Sequence, residues 1–250
     1  MEIQGKTALI TGGAIRVGRA ITLELARAGA NVAINYYRDV EKAEQTAGEA
    51  SSEGVSALAV QADISRWEQV QRMFSQIHSV LGPVDIVVNN SSVFRATPIP
   101  TDSVEAWQAV TSVLVNGAFY VSNLAARDML EKKSGAIVNI VDLSAWEAWP
   151  GYAAHAVGKS ALLALTRQLA IDLAPHVRAN AIAPGPVLPP LDYSPEKIER
   201  TAAKTLLGRW GTPQDIAQTV RFLVESDYIN AEVIAVDGGE RYGHRKEEAG

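Results

Sequence analysis

Cysteine is absent from the 250 residues. Its absence excludes disulfides, thiolate nucleophiles and zinc sites built on Cys, and it suits a reducing cytosol. Histidine is scarce, at four. No pair of His or carboxylates has metal-ligand spacing with an accompanying motif, so no metal is expected. Positive charge is in deficit: 23 Lys and Arg against 28 Asp and Glu leave a net charge of -5. That balance argues against a nucleic-acid partner, which requires a basic face. No apolar run approaches bilayer-spanning length, and the N-terminus has no basic segment followed by an apolar stretch. A soluble, cytoplasmic globular chain with no membrane partner is therefore expected. It is long enough to bury a substantial core without staples.

What the chain does have is alternation. Short runs rich in Val, Ile and Ala at Thr7–Thr11, Asn31–Tyr36, Ala57–Gln61, Val84–Asn89, Ala136–Val141, Arg178–Ala183 and Val233–Val236 read as strands covered on both faces. Helical patterns fill the gaps at Gly18–Ala28, Val40–Ser52, Arg66–Leu81, Ser103–Lys132, Tyr152–Leu173 and Pro213–Val224, the last with Thr212 as N-cap. Strand–helix alternation predicts an α/β chain: one Rossmann-like, doubly wound domain over 1–250 with a seven-stranded parallel sheet and helices on both faces. Residues 184–207, proline-rich up to Pro195, read as a long irregular loop of the kind that contacts substrate. Residues 240–250 read as a frayed, mobile tail.

Thr11-Gly12-Gly13-Ala14-Ile15-Arg16-Val17-Gly18 lies between the first strand and the first helix. Glycines there permit a tight turn and close backbone approach to a pyrophosphate, while the helix N-terminus offers amide donors. A Gly-rich loop alone is weak, but this one opens a helix after a strand inside a βαβ unit, which predicts a dinucleotide site. The second strand ends in Tyr36-Tyr37-Arg38-Asp39. Arg38 and Arg16 favour NADP, because a guanidinium holds a 2′-phosphate bidentately; Asp39 opposes this by competing for Arg38. Asp63 ends the third strand, where its carboxylate either accepts from an adenine amino group or caps the next helix.

Together these residues resemble the short-chain dehydrogenase/reductase family from Lys6 to about Arg241. The motifs stand in order: Thr11–Gly18, Asp63, Asn89-Asn90-Ser91-Ser92, Asn116, Asp142, Lys159, Pro184-Gly185 and Val236-Asp237-Gly238-Gly239. Within the family the chain looks most like the pteridine reductases. It has Arg16 in the glycine motif, Arg38 at the second strand end, and Phe94 after Asn89-Asn90-Ser91-Ser92-Val93. It also has Asp142 where most members have Ser, and the bacterial-type run Pro186-Val187-Leu188-Pro189-Pro190.

The resemblance implies an NADP cofactor bound by Gly12, Arg16, Val17, Gly18, Tyr37, Arg38, Asp63, Asn90, Lys159, Pro184 and Gly185. It implies a pterin or dihydrofolate-like substrate touching Arg16, Ser92, Phe94, Tyr152 and Leu188, with Phe94 stacked on the pterin. Phe94 also reads as a core ring. Asn116 would hold a water, Lys159 the nicotinamide ribose, and Asp142 would assist proton delivery. The long helices Ser103–Lys132 and Tyr152–Leu173 would pair across a homotetramer, or be buried within one subunit.

One position departs from the pattern. The family places a Tyr four residues before its Lys, and here His155 precedes Lys159. The spacing keeps both on one helix face, but an imidazole is shorter than a phenol. Three readings stand: His155 is the acid, alone or through water; Tyr152 substitutes; or the site binds NADP(H) with little or no turnover. A carbonyl or 3-oxoacyl-acyl-carrier-protein reductase of the same family is the rival activity. Trp146 and Trp149, between Asp142 and His155, read equally as pocket walls and as packing under the loop.

Overall fold

The computed structural model describes residues 1–190 and 193–243. Seven parallel strands form one sheet: β1 (Thr7–Thr11), β2 (Asn31–Tyr36), β3 (Ala57–Gln61), β4 (Ile86–Asn89), β5 (Gly135–Ile140), β6 (Val177–Pro184) and β7 (Val233–Val236). Their order is β3-β2-β1-β4-β5-β6-β7, so the strand sequence reverses between β1 and β4. In an open parallel sheet that reversal leaves a crevice beyond the carboxyl ends of the strands, where ligands bind.

Near-continuous apolar strands follow from burial on both sides. Leu9 and Ile10 are neighbours in β1, both wholly buried, yet they belong to separate cores because successive side chains point to opposite faces. Ile10 packs with Ile21 and Leu25 of α1 (Arg16–Arg27), Ala43 of α2 (Val40–Ser51) and Val220 of the helix Pro213–Glu225. Leu9 packs with Val70 and Ile77 of α3 (Trp67–Val80) and with Met129 and Leu169 from two later helices. Each fully buried aliphatic side chain contributes roughly 1.5–3 kcal/mol relative to exposure.

The expected helix Ser103–Lys132 is a composite: α4 (Glu105–Thr111), a π-helical turn (Ser112–Gly117) and α5 (Ala118–Glu131). A π turn inserts an extra residue into the helical ladder and is frequent at functional sites. The composite, Glu105–Glu131, contains an 18-residue window of mean hydropathy 1.3, so by length and composition it is long enough to cross a bilayer, contrary to the expectation of no such stretch. Half of that window is buried in this fold, with Val121, Ala125 and Met129 in the core.

The helix that carries His155 and Lys159 is α6 (Ala153–Asp172). The loop expected over 184–207 contains a helix instead, α7 (Pro195–Lys204): Ser194 accepts from Lys197 N at 3.3 Å, and Pro195 sits in the first turn, where its missing N–H has no helical partner to lose. The final helix, α8 (Pro213–Glu225), begins with the expected Thr212 cap, extended to a reciprocal capping box with Asp215. Of the tail expected to fray, residues 240–243 form a 3₁₀ turn in which Arg241 N donates to Asp237 at 3.2 Å; the rest of it, with His244, lies outside the described residues.

Candidate active site

The glycine loop leaves β1 at the switch point. Gly12 takes φ +61°, the left-handed region that glycine adopts without penalty. A Cβ on Gly18 would overlap the Gly12 carbonyl oxygen and lie 2.7 Å from Asn90 Nδ2, so the first turn of α1 rests directly on the loop. Asn90 clips that loop from β4, donating from Nδ2 to the carbonyls of Thr11 (3.0 Å) and Gly12 (3.2 Å). Arg16 occupies φ +53°, a conformation that costs an ordinary residue about 1–2 kcal/mol. Its guanidinium donates to the Leu188 carbonyl at 3.3 Å, joining the glycine loop to the loop after β6. Backbone strain at a loop whose side chain reaches across a crevice points to a site rather than to packing.

At the end of β2, the exposed Arg38 guanidinium lies 4.9 Å from the centroid of the exposed Tyr37 ring. Asp39 does not compete for it: its carboxylate caps α2 through Lys42 N (3.1 Å) and pairs with Lys42 Nζ at 3.6 Å. Asp63 does not cap α3, whose N-cap is Arg66. It closes a local turn instead, accepting from Ser65 N at 3.0 Å and Ser65 Oγ at 2.6 Å. Asp63 also lines a cavity of about 360 Å³ with Tyr37, Gln61, Gln69, Arg72 and Gln76. Gly185, after Pro184 at the end of β6, donates to the Val236 carbonyl at 3.0 Å. The residues fit a dinucleotide phosphate. The helix N-terminus is bare of side chains at Gly18, Arg16 opens the same helix, and a second exposed guanidinium, Arg38, follows β2.

Across the crevice, His155 and Lys159 lie one turn apart on the buried face of α6, each 3% exposed. His155 Nε2 pairs with Asp142 Oδ2 at 2.7 Å. The second Asp142 oxygen accepts from Ser144 N (2.9 Å) and from Ser144 Oγ. Burial pushes the Asp142 carboxyl upward, but the His155 hydrogen bond, the Lys159 charge and Ser144 outweigh it and hold the group below its ordinary value. Burial lowers Lys159, with Asp142 partly opposing; its Nζ donates to the Ile140 carbonyl at 2.8 Å.

Rings wall this pair. Phe94 stacks on Tyr152 (centroids 4.4 Å apart, 16°) and stands perpendicular to the His155 imidazole at 4.9 Å. Trp149 lies nearly parallel to the same imidazole, 5.8 Å away at 14°. Trp146, in contrast, faces Arg241. The loop bearing Phe94 is pinned to the start of α6 by Thr97, whose N donates to the Gly151 carbonyl (2.7 Å) and whose Oγ1 accepts from Ala154 N (2.9 Å).

The fold thus gathers Phe94, Asp142, Tyr152, His155 and Lys159. Asn116 sits in the π turn, exposed, and Ser92 is exposed on the Phe94 loop; neither side chain makes a hydrogen bond among the described residues. Ser144 and Thr97 escaped the sequence reading, and Trp149 was undecided. Ser144 was legible as an Asx-turn partner two residues after Asp142. Thr97 was not, because it caps a helix 57 positions away.

A family model described as Enoyl-(Acyl carrier protein) reductase matches residues 13–240. The 3-oxoacyl-acyl-carrier-protein reductase FabG of Staphylococcus aureus is 34% identical over 239 residues, covering 94% of this chain and 97% of the relative. The chain is a short-chain dehydrogenase/reductase. Members of known structure share its fold closely. FolM alternative dihydrofolate reductase 1 from Brucella suis, in complex with NADP, matches with a TM-score of 0.90 at 34% identity, covering 97% of each chain. A gluconate 5-dehydrogenase from Burkholderia cenocepacia, in complex with NADP and tartrate, matches with a TM-score of 0.88 at 30% identity, covering 96% of this chain and 98% of that one. This short-chain dehydrogenase/reductase is accordingly an oxidoreductase.

Proposed function

We infer that the protein is an NADPH-dependent reductase of a dihydropterin or dihydrofolate-like ring. The observation that carries this reading is a flat aromatic platform beside a buried acid pair: Phe94, half exposed, next to the His155 ring that is bonded to Asp142. A planar heterocycle stacked on such a ring gains about 0.5–1.5 kcal/mol beyond its burial. The FolM neighbours, which hold NADP, support the same reading. Residues 1–250 act as one dinucleotide-binding domain in the cytoplasm, with 184–207 as its substrate-facing segment.

When bound, the reduced dinucleotide supplies the hydride. Amides at Val17 and Gly18, with Gly12 and Arg16, hold its pyrophosphate. Arg38 and Tyr37 hold the 2′-phosphate, Asp63 the adenine, Asn90 and Lys159 the ribose, and Pro184 and Gly185 the nicotinamide. His155 supplies a proton to the substrate, assisted by the Asp142 carboxylate that holds its ring, while Arg16, Ser92, Tyr152 and Leu188 bound its pocket and Asn116 holds a water.

The test is stopped-flow oxidation of NADPH with 7,8-dihydrobiopterin or dihydrofolate. A rate equal to the enzyme-free control ends the reading. A second reading, reduction of a 3-oxoacyl thioester, is favoured by the FabG relative; turnover of such a thioester with none of the pterins selects it. Cofactor choice rests on Arg38, which has no ion-pair partner among the described residues. Arg38→Ala should weaken NADPH binding about 10–100-fold, the worth of a charge-assisted phosphate contact, and leave NADH binding unchanged. Equal losses for both dinucleotides would reject that role.

Trp107 on α4, Phe119 on α5, and Val157 and Ile171 on α6 are all exposed. These helices build a homotetramer by covering that apolar surface. Light scattering that gives a single-chain mass at micromolar concentration would refute it.

A further inference from the structure

Two buried side-chain polar atoms among the described residues have no hydrogen-bond partner, and one is His155 Nδ1. A buried polar atom left unpaired costs about 1–3 kcal/mol, so it calls for a partner in the working protein. The other ring nitrogen is already committed, since Nε2 lies 2.7 Å from Asp142 Oδ2. Asp142 cannot release it cheaply, because its second oxygen is held by Ser144 N and Oγ. A carboxylate accepts only, so the neutral ring keeps its proton on Nε2 and presents a lone pair at Nδ1.

The orientation of the ring is set by more than that bond. The Trp149 indole lies parallel to it at 5.8 Å, and Phe94 stands perpendicular at 4.9 Å. Turning the imidazole over about its Cβ–Cγ bond would put a ring carbon where Nε2 now meets Asp142. Phe94 is the neighbour placed to make room for a ligand: it is 56% exposed and held by ring contacts with Tyr152 and Trp149.

We propose that His155 exchanges the substrate proton through Nδ1, and that Trp149 is the positioning residue that holds the ring for it. The proposal rests on the reductase reading above. In the reductive direction the doubly protonated ring gives up its Nδ1 proton. That Nδ1–H bond breaks as an N–H bond forms on the nitrogen of a substrate C=N bond. The nitrogen receives the electron pair of the π bond, whose carbon takes the hydride. His155 is left neutral, its proton still on Nε2 and hydrogen-bonded to Asp142, and it regains a proton at Nδ1 from solvent.

The test uses full-length protein labelled with ¹⁵N-histidine, the His155 signals being assigned by their loss in His155→Gln. In the neutral ring the proton should sit on Nε2. Adding NADP⁺ and then 7,8-dihydrobiopterin, a pair that cannot turn over, should move the Nδ1 resonance and leave Nε2 in place. Trp149→Ala should yield both neutral tautomers and lower kcat about 10–100-fold, the effect of a misplaced reacting group, with KM for NADPH unchanged. Trp149→Phe should restore the Nε2–H tautomer and most of kcat.

A neutral ring protonated on Nδ1 would overturn the proposal, as would a pterin-induced shift at Nε2 instead. A Trp149→Ala variant with wild-type spectrum and kcat would remove Trp149 from it. The expected spectra with no NADPH oxidation by any pterin would sink the pterin reading and support the assignment of Nδ1.

Discussion

Gly18→Ala should weaken dinucleotide binding severely while leaving the chain folded. The added methyl overlaps the carbonyl oxygen of Gly12, a main-chain atom held in place by Asn90. Backbone cannot yield as the end of a flexible side chain can, so either α1 lifts from the loop or the loop turns out of register. Both outcomes move the amides that would face the pyrophosphate. Calorimetric titration with NADPH should show affinity reduced by about 100-fold or more, equivalent to roughly 3 kcal/mol. Gly48→Ala is the matched control: nothing lies within 4 Å of its Cβ on the exposed face of α2. It should bind NADPH normally and gain about 0.5–1 kcal/mol of stability from the better helix former. Wild-type affinity in Gly18→Ala would mean that the loop is a structural turn and not a cradle.

The same region marks how far the sequence was readable. Strand bounds at Thr7–Thr11, Asn31–Tyr36, Ala57–Gln61 and Val233–Val236 agree with the structure because apolar runs between turn residues are a local pattern. The partnership of Arg16 with the Leu188 carbonyl spans 172 positions and has no local trace. Helix α7 was hidden by the prolines before it, although Ser194-Pro195 is itself a start signal. The π turn at Ser112–Gly117 has no signature in hydrophobic periodicity, and a longer uninterrupted helix was the natural reading. At the site, position 155 was legible as a substitution, and its spacing from Lys159 correctly put both on one face. What the His does with its two nitrogens was not legible, since that depends on Asp142 and Trp149 arriving from the loop before α6.

Asp142→Ala should be the most disruptive single change in the reaction end, and its effect should depend on pH in a definite direction. Lys159 is buried beside the carboxylate, and burial already holds its ammonium below the ordinary value, with Asp142 the opposing influence. A lowered folded value means that the charged lysine works against folding. That burden is full below the folded value and disappears as pH rises past the unfolded value, about 10.4. Removing Asp142 takes away the counter-charge and leaves His155 Nε2 without its acceptor. Breaking a buried pair in this way destabilises by about 3–5 kcal/mol near neutrality.

The deficit should shrink toward pH 10 as Lys159 loses its proton in both proteins. It should shrink in acid as well. The depressed carboxyl contributes stability that is present above the unfolded value, near 3.9, and is lost as pH falls through the lower folded one. Urea unfolding of wild type and Asp142→Ala at pH 3, 7 and 9.5 measures the gap directly. Asp142→Asn, which keeps an acceptor for His155 but not the charge, separates the hydrogen bond from the Coulomb interaction. A gap of constant size from pH 7 to 9.5 would mean that Asp142 supports the site by packing and hydrogen bonding alone, with the lysine balanced elsewhere.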